Sequence, residues 1–132
     1  MEDDPQPLVV VAEDDADARE LLARALTRRG FVVDAVADGE ALVKRARSAP
    51  RPSLVVTDLD MPKLTGLEAL PTLVDLGLPV VVVSALSPSI SLEAVRQRGA
   101  AAVLAKPIRS RVLIAVIERL LNLVPGHRSK SE

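Results

Sequence analysis

Cysteine is absent from the 132-residue sequence, and aromatic residues and histidines occur once each, as Phe31 and His127. Without cysteine the chain has no disulfide bond, no thiolate nucleophile and no sulfur ligand for a metal. The single histidine, in a polar stretch, excludes histidine triads and histidine-rich metal sites. The core must therefore be packed from valine, leucine, isoleucine and alanine, and such aliphatic cores are typical of helices on a parallel sheet.

The sequence also lacks an excess of charge and a long apolar run. The 17 Lys and Arg nearly balance the 18 Asp and Glu, which gives a formal net charge of −1, so we expect no nucleic-acid binding. No apolar stretch approaches the roughly 20 residues of a membrane span, and the acidic start MEDDPQP does not resemble a secretory signal. We expect a soluble cytoplasmic protein without membrane contact.

Short apolar runs are present instead, at residues 8–12, 31–36, 53–57, 79–84 and 101–105, with helix-like patterns between them. Such runs are typical of buried parallel strands. We expect helices up to about Gly30 and over residues 38–48, 67–75, 89 or 91 to 99, and 109–124. Because a proline inside a helix costs about 3 kcal/mol, Pro71 predicts that the third helix is short or kinked. The pattern predicts one α/β domain with an open parallel sheet and helices on both faces.

Polar residues stand where the predicted strands end. Alone, each has an ordinary explanation, as a helix cap, a turn former or a solvent-facing residue. Ligands of such folds bind beyond the carboxyl ends of the strands, however, so the side chains should meet at one edge of the sheet. The residues concerned are Glu13, Asp14 and Asp15 after the first strand, Asp58 and Asp60 after the third, Ser84 after the fourth, and Lys106-Pro107 after the fifth.

This set of side chains indicates a magnesium site that handles phosphoryl groups. Three carboxylates in one crevice, from Glu13, Asp14 and Asp58, repel each other unless a cation holds them together. Oxygen ligands without histidine or cysteine favour Mg²⁺, which leaves room for a phosphoryl oxygen that Lys106 also neutralises. No histidine or cysteine nucleophile is available, so Asp58, at the end of the central strand, is the candidate acceptor of a phosphoryl group.

These residues resemble, from about Leu8 to Val124, the receiver domain of two-component response regulators. The resemblance implies a flavodoxin-like (βα)5 sandwich with strand order 2-1-3-4-5. It implies that Asp58 is the phosphoacceptor and that the peptide bond between Lys106 and Pro107 is cis. It implies Mg²⁺ ligation by Glu13, Asp14 and Asp58 and by the backbone carbonyl of Asp60.

The resemblance also implies a signalling domain, not an enzyme of metabolism, that catalyses its own phosphorylation and dephosphorylation. Asp58 would take its phosphoryl group from a phosphohistidine of a sensor histidine kinase or a histidine phosphotransfer protein. Lys106 and Ser84 would bind phosphoryl oxygens and shift the face formed by the fourth helix, the fifth strand and the fifth helix. That face would control a partner or output domain, or form a homodimer. Val103 stands where the family often has a switching aromatic residue, and Thr65 where it often has Asp.

Two alternatives remain open. A degenerate receiver would keep the fold and bind proteins independently of phosphorylation, as Val103 mildly favours. A flavodoxin-like cofactor binder or small phosphohydrolase is disfavoured by the acidic residues 13–15 and the scarcity of aromatic side chains. We expect a disordered segment at residues 1–7, a receiver domain at 8–124, and a tail or the start of a linker at 125–132.

Overall fold

The computed structural model describes residues 6–85 and 92–123 of the chain. Strands and helices alternate along it, as the apolar runs predicted. The predicted start of the fourth helix, the tail at 125–132 and residues 1–5 of the N-terminal segment lie outside the described residues. The elements are β1 (Leu8–Ala12), α1 (Ala16–Arg28), β2 (Val32–Val36), α2 (Gly39–Ala46), β3 (Leu54–Asp58), α3 (Gly66–Asp75), β4 (Val80–Ser84), α4 (Leu92–Gln97), β5 (Ala102–Ala105) and α5 (Ser110–Leu120).

The five strands form one parallel sheet in the order β2-β1-β3-β4-β5, which confirms the predicted fold class. Strand order reverses beside β1, because the chain goes from β1 outward to β2 and returns to β3 on the other side. The register sets Ala12 beside Thr57, and Asp58 beside Val83. The carboxyl ends of β1, β3 and β4 therefore lie next to one another, at the place where doubly wound sheets bind ligands.

Burial follows the position of each strand in the sheet. The three inner strands β1, β3 and β4 are buried along their whole length, while the edge strands β2 and β5 keep partly exposed residues. Side chains alternate between the two faces of the sheet, since successive Cβ atoms of a strand point to opposite sides. One face packs against α2, α3 and α4 through Leu42, Leu70, Leu73 and Val95. The other packs against α1 and α5 through Leu26, Leu113 and Ile117.

The helix α3 is closed at its start by a capping box. The Thr65 side chain accepts a hydrogen bond from the backbone N–H of Glu68, and the Glu68 carboxylate accepts one from the N–H of Thr65. Threonine thus supplies the cap at the position where the resemblance led us to expect aspartate. The helix continues through Pro71 to Asp75, with Leu70 and Leu73 fully buried beside the proline. The packing of these two leucines offsets the loss of the backbone hydrogen bond that Pro71 cannot donate.

The last helix, α5, ends earlier than the apolar pattern predicted. It stops at Leu120, and Asn122 takes a left-handed conformation with a φ of 59°. The N–H of Leu123 donates to the carbonyl of Glu118 at 2.7 Å, as in the closing turn of many helices. In the part of the chain that the structure describes, none of the helices has the length and apolar character needed to cross a bilayer.

Candidate functional site

The polar residues predicted at the strand ends meet at the carboxyl edge of the sheet. Glu13 directly follows β1, Asp58 is the last residue of β3, and Ser84 is the last residue of β4. Lys106 directly follows β5, and its backbone N–H donates to the carbonyl of Ser84 at 2.8 Å. The order β1-β3-β4-β5 therefore brings acids, a hydroxyl and a cation together from four separate parts of the sequence.

Three carboxylates form the acidic part of the site. Glu13, Asp14 and Asp58 each offer one oxygen, and these oxygens all lie within 4.8 Å of one another. Glu13 and Asp58 are buried, whereas Asp14 is exposed. The oxygens thus surround a space that is open to water on the side of Asp14. A set of this kind fits Mg²⁺, which takes oxygen ligands and keeps several of its waters. No other ligand type is offered by this group, so a softer metal is disfavoured.

Lys106 bridges two of these acids. Its Nζ atom lies 3.0 Å from Oδ2 of Asp58 and 3.2 Å from Oε1 of Glu13. Burial of the ammonium group lowers the pKa of Lys106, but the hydrogen bonds and charges of Asp58 and Glu13 raise it more. The pKa therefore lies above its usual value, and Lys106 is a fixed positive charge at neutral pH. It offsets part of the repulsion among the three carboxylates.

The β1–α1 turn decides which acid serves the site and which caps the helix. The Asp15 side chain accepts a hydrogen bond from the N–H of Ala18 at 2.8 Å, so Asp15 is the N-cap of α1. Its own N–H donates to Oε2 of Glu13 at 3.0 Å. The Arg19 guanidinium donates to the carbonyl of Glu13 at 2.9 Å and fixes the turn from the helix side. Asp14 does not cap the helix, and its side chain instead belongs to the carboxylate cluster with Glu13 and Asp58.

Asp58 accepts hydrogen bonds from its chain neighbours through both its backbone carbonyl and its side chain. The Thr57 hydroxyl donates to the Asp58 carbonyl at 2.9 Å, and the N–H of Asp60 reaches Oδ1 of Asp58 at 3.4 Å. Asp60 is exposed and stands outside the carboxylate cluster. A metal role for Asp60 would therefore have to use its main chain, as the resemblance implies.

Gly66 is a site residue that sequence reasoning did not identify. A Cβ atom at this position would collide with the carbonyl oxygen of Asp58. The N–H of Gly66 also donates to the carbonyl of Leu59 at 2.8 Å. The start of α3 is thus pressed against the backbone that carries the candidate acceptor. A glycine at the first position of the helix that follows β3 was the available signal.

Ser84 is the last residue of β4, the strand beside β3, and Val103 lies on β5, the edge strand beside β4. Ser84 is fully buried, and its hydroxyl donates to the carbonyl of Ala85 at 3.1 Å. Val103 is partly buried on β5 and packs on the face that α2, α3 and α4 cover. The peptide bond between Lys106 and Pro107 is cis, as the resemblance implied. Ser84 and Lys106 thus border the site, whereas the roles given to Ser84 and Val103 in switching stay predictions.

A hollow of about 220 Å³ lies beside the carboxylates, on the side of α1 and α5. Asp58 and Lys106 form one wall, and Leu22 of α1 and Ile108 of the β5–α5 loop form others. Leu21, at 68% exposure the most exposed large apolar residue among those described, also lines it. The candidate acceptor is therefore reachable from outside along a mostly apolar approach.

Comparison with known families agrees with this geometry. The family model for the response regulator receiver domain matches residues 9–118. The chain belongs to the response regulator receiver family. Among relatives, the transcriptional regulatory protein PrrA of Mycobacterium tuberculosis is 37% identical over 118 residues, which are 87% of this chain and 50% of PrrA. PdtaR of the same organism is 36% identical over 112 residues, 83% of this chain and 54% of PdtaR.

Solved structures of receivers superpose closely on the chain. The structure named FixJ-N has a TM-score of 0.78 at 30% identity and covers 90% of this chain and 96% of its own. The receiver domain of a LuxO repressor protein from Vibrio parahaemolyticus has a TM-score of 0.82 at 22% identity, covering 89% and 92%. Because its identity to this chain is only 22%, the similarity to the LuxO receiver domain supports the fold alone. The chain spans about half the length of PrrA and PdtaR, so it corresponds to one part of those regulators.

Proposed function

We propose that this receiver takes a phosphoryl group onto Asp58 from a phosphohistidine of a sensor histidine kinase or a histidine phosphotransfer protein. The observation that carries the proposal is the contact of Lys106 with Asp58 at 3.0 Å, beside carboxylate oxygens that lie within 4.8 Å of one another. An acid, a fixed cation and a candidate metal site at one point are what phosphoryl transfer needs.

Asp58 is the best placed of the three acids to act as nucleophile. It ends a rigid, fully buried strand, and its carboxylate borders the hollow through which a donor would approach. Glu13 is less suitable, because its Oε2 accepts a hydrogen bond from the N–H of Asp15 at 3.0 Å, whereas the corresponding contact of Asp58, from the N–H of Asp60, is longer at 3.4 Å. In the reaction an Asp58 oxygen would form the bond to phosphorus while the bond from phosphorus to the histidine nitrogen breaks.

Glu13, Asp14 and Asp58 would hold Mg²⁺, with the Asp60 carbonyl as a further ligand. When bound, the metal would neutralise oxygens of the phosphoryl group during transfer. Lys106 would move from Asp58 Oδ2 to a phosphoryl oxygen and so keep its charge paired. The same groups would promote attack by water on the acyl phosphate, which returns Asp58 to the carboxylate. This makes the chain a signalling domain that catalyses its own modification and its reversal.

The readout would be the face formed by α4, β5 and α5, presented to an output domain, a partner or a second copy. Ser84 would turn its hydroxyl from the Ala85 carbonyl to the phosphoryl group and draw the end of β4 with it. Val103 lacks the ring that would follow this movement, so the switch would work through Ser84 and the backbone. A cytoplasmic location goes with this proposal, because a chain without cysteine has no need of an oxidising compartment.

A degenerate receiver is the second candidate, favoured by Val103 at the switch position. It would keep the same face for protein binding but would not depend on phosphorylation. The intact set of Glu13, Asp14, Asp58 and Lys106 favours a receiver that is phosphorylated on Asp58 over a degenerate one. Measured Mg²⁺ affinity and phosphoryl incorporation separate the two.

The test uses acetyl phosphate as a small donor and intact-mass measurement of phosphoryl incorporation. The wild-type chain should gain one phosphoryl group with Mg²⁺ and none with a metal chelator. Asp58→Asn should gain none, because its amide is not a nucleophile. Asp75→Asn, a matched change at an exposed residue at the end of α3, should be labelled like the wild type. Labelling that persists in Asp58→Asn would refute the acceptor assignment, and an unlabelled wild type that still binds Mg²⁺ would favour the degenerate receiver.

A further inference from the structure

A shallow groove of about 470 Å³ runs along the outward side of α5, outside the site described above. It combines two kinds of side chain, guanidinium groups at the rim and small apolar groups at the floor. The rim residues are Arg109, Arg111 and Arg119, and the floor residues are Val112, Ala115 and Val116.

The floor of this groove presents apolar surface that the core does not use. Val112 is 46% exposed, one of four exposed large apolar residues in the part of the chain that the structure describes. Ala115 is exposed beside it, whereas Leu113 and Ile117 on the opposite side of α5 are buried against the sheet. The apolar arc of α5 is thus wider than its core contact requires. Such a surplus on a helix marks a contact surface for another molecule.

The rim of the groove carries positive charge. Within residues 6–85 and 92–123, none of the three rim arginines forms an ion pair with a carboxylate. Glu118, the acid of α5, is 3% exposed and pairs with Arg29 of α1 at 3.6 Å, on the inner side of the helix. Arg96, in the last turn of α4, and Arg98, just beyond it, add exposed positive charge to the face of α4, β5 and α5, where Glu93 is the one exposed acid among the described residues.

We infer that the α5 groove docks an acidic amphipathic segment of a partner protein, a helix with apolar side chains flanked by glutamates or aspartates. The apolar side chains would lie on Val112 and Ala115, and the carboxylates would reach Arg111 and Arg119. This is the helix-in-groove mode of recognition, with arginines as the charged anchors. The inference deepens the proposed function, since it gives the chemistry of the partner for the face of α4, β5 and α5. Only the expectation that phosphorylation alters this docking rests on the proposed function.

A second copy of the chain does not fit this groove through a two-fold axis. In such an interface each patch meets the same patch of the partner. Each patch carries the three rim arginines, and α5 has no exposed acid among its described residues, so two copies would bring together an excess of positive charge, which opposes association. A nucleic acid fits less well than an acidic helix, because the floor is apolar and the chain as a whole carries a net charge of −1.

The test uses two synthetic helix-forming peptides with leucines at the i, i+3 and i+7 positions. One carries glutamates on both flanks, and the other carries glutamines at the same places. Binding to the full chain is measured by fluorescence anisotropy over a salt series, and NMR shifts locate the peptide. We expect the glutamate peptide to bind about tenfold more tightly at low salt, with shifts at Val112 and Ala115.

The variants separate groove charge from net charge. Arg111→Glu combined with Arg119→Glu should remove the preference for the glutamate peptide, and the pair Arg111→Lys with Arg119→Lys should keep much of it. Arg47→Glu, at an exposed arginine that ends α2 on the opposite side of the sheet, should leave the preference unchanged. Equal binding of the two peptides to the wild type would overturn the inference. So would a single-stranded oligonucleotide that binds more tightly than the glutamate peptide. A wild-type dimer that Arg111→Glu combined with Arg119→Glu dissociates would also overturn it.

The same titrations with acetyl phosphate and Mg²⁺, on the wild type and on Asp58→Asn, distinguish the two proposals. A glutamate preference that phosphorylation does not alter supports the groove and refutes the switch. Phosphoryl incorporation at Asp58 without any glutamate preference supports the phosphoacceptor and refutes the groove.

Discussion

The Lys106 ammonium lies 3.0 Å from the Asp58 carboxylate, although 48 positions separate the two residues in the sequence. The contact joins β3 to the loop after β5, across the intervening strand β4. Glu13 completes it from β1 at 3.2 Å. Because a cation holds two buried acids here, the site is kept in place by charges as well as by the packing of the sheet.

The first prediction concerns the stability of the chain at high pH. The folded-state pKa of Lys106 is raised, so its contribution is fully present below the unfolded pKa of about 10.4. The contribution is lost as pH rises through the folded-state value. We expect the free energy of unfolding, measured by urea denaturation in metal-free buffer, to fall as the pH rises from about 10.4 through the folded-state pKa of Lys106. Lys106→Met should flatten this fall, and Lys44→Met, at an exposed lysine of α2, should not.

The second prediction concerns the contact of Gly66 with the Asp58 carbonyl. Gly66→Ala places a methyl group on that oxygen, so the backbone of the acceptor or the start of α3 must move. We expect a loss of about 3 kcal/mol in the free energy of unfolding and slower labelling by acetyl phosphate.

Gly77→Ala is the matched control for that variant. Gly77 has a φ of 77°, and an alanine there would meet only the end of the flexible Arg51 side chain. It should cost about 1 kcal/mol for the left-handed backbone and leave labelling unaffected. Equal labelling rates in the two alanine variants would show that Gly66 does not position Asp58.

The third prediction concerns the ion pair between Glu118 and Arg29. Glu118 is 3% exposed, while the Arg29 side chain is 32% exposed. Breaking a buried pair by removing one partner costs roughly 3–5 kcal/mol, and the partial exposure of Arg29 should place Glu118→Ala near the lower end. Glu93→Ala, at an exposed glutamate of α4, should change stability by less than about 0.5 kcal/mol. A Glu118→Ala chain as stable as Glu93→Ala would mean that the pair contributes nothing.

The fold could be predicted well from the sequence because the local composition indicates which segments are buried. The runs at residues 8–12, 53–57 and 79–84 are nearly continuously apolar, and they contain most of the three inner strands, which are covered on both faces. The run at 31–36 became β2 without Phe31, whose side chain is buried just ahead of the strand. The ends of the other strands could also be predicted, since four of the five apolar runs end at or just before a polar residue, whereas the run at 31–36 ends in Val36 and is followed by another apolar residue, Ala37. The members of the candidate site followed from those ends.

Spacing along the chain could not reveal distances across it. That Lys106 contacts both Asp58 and Glu13, and that Asp15 caps α1 while Asp14 faces the cluster, depends on how the helices and loops seat on the sheet. Glu118 shows the same limit, since a charged residue beside the apolar positions of α5 gives no sign of being buried. Gly66 depends on the approach of α3 to β3.

The sequence by itself determined the order of the elements, the aliphatic core and the residues at the carboxyl edge, because apolar periodicity and strand ends are local properties of the chain. Only the tertiary structure decided which of the described charges pair, which are buried and which arginines of α5 have no carboxylate partner among the described residues. Those outcomes depend on distances of a few ångströms between residues that are far apart in the sequence, and electrostatic interactions change steeply over such distances.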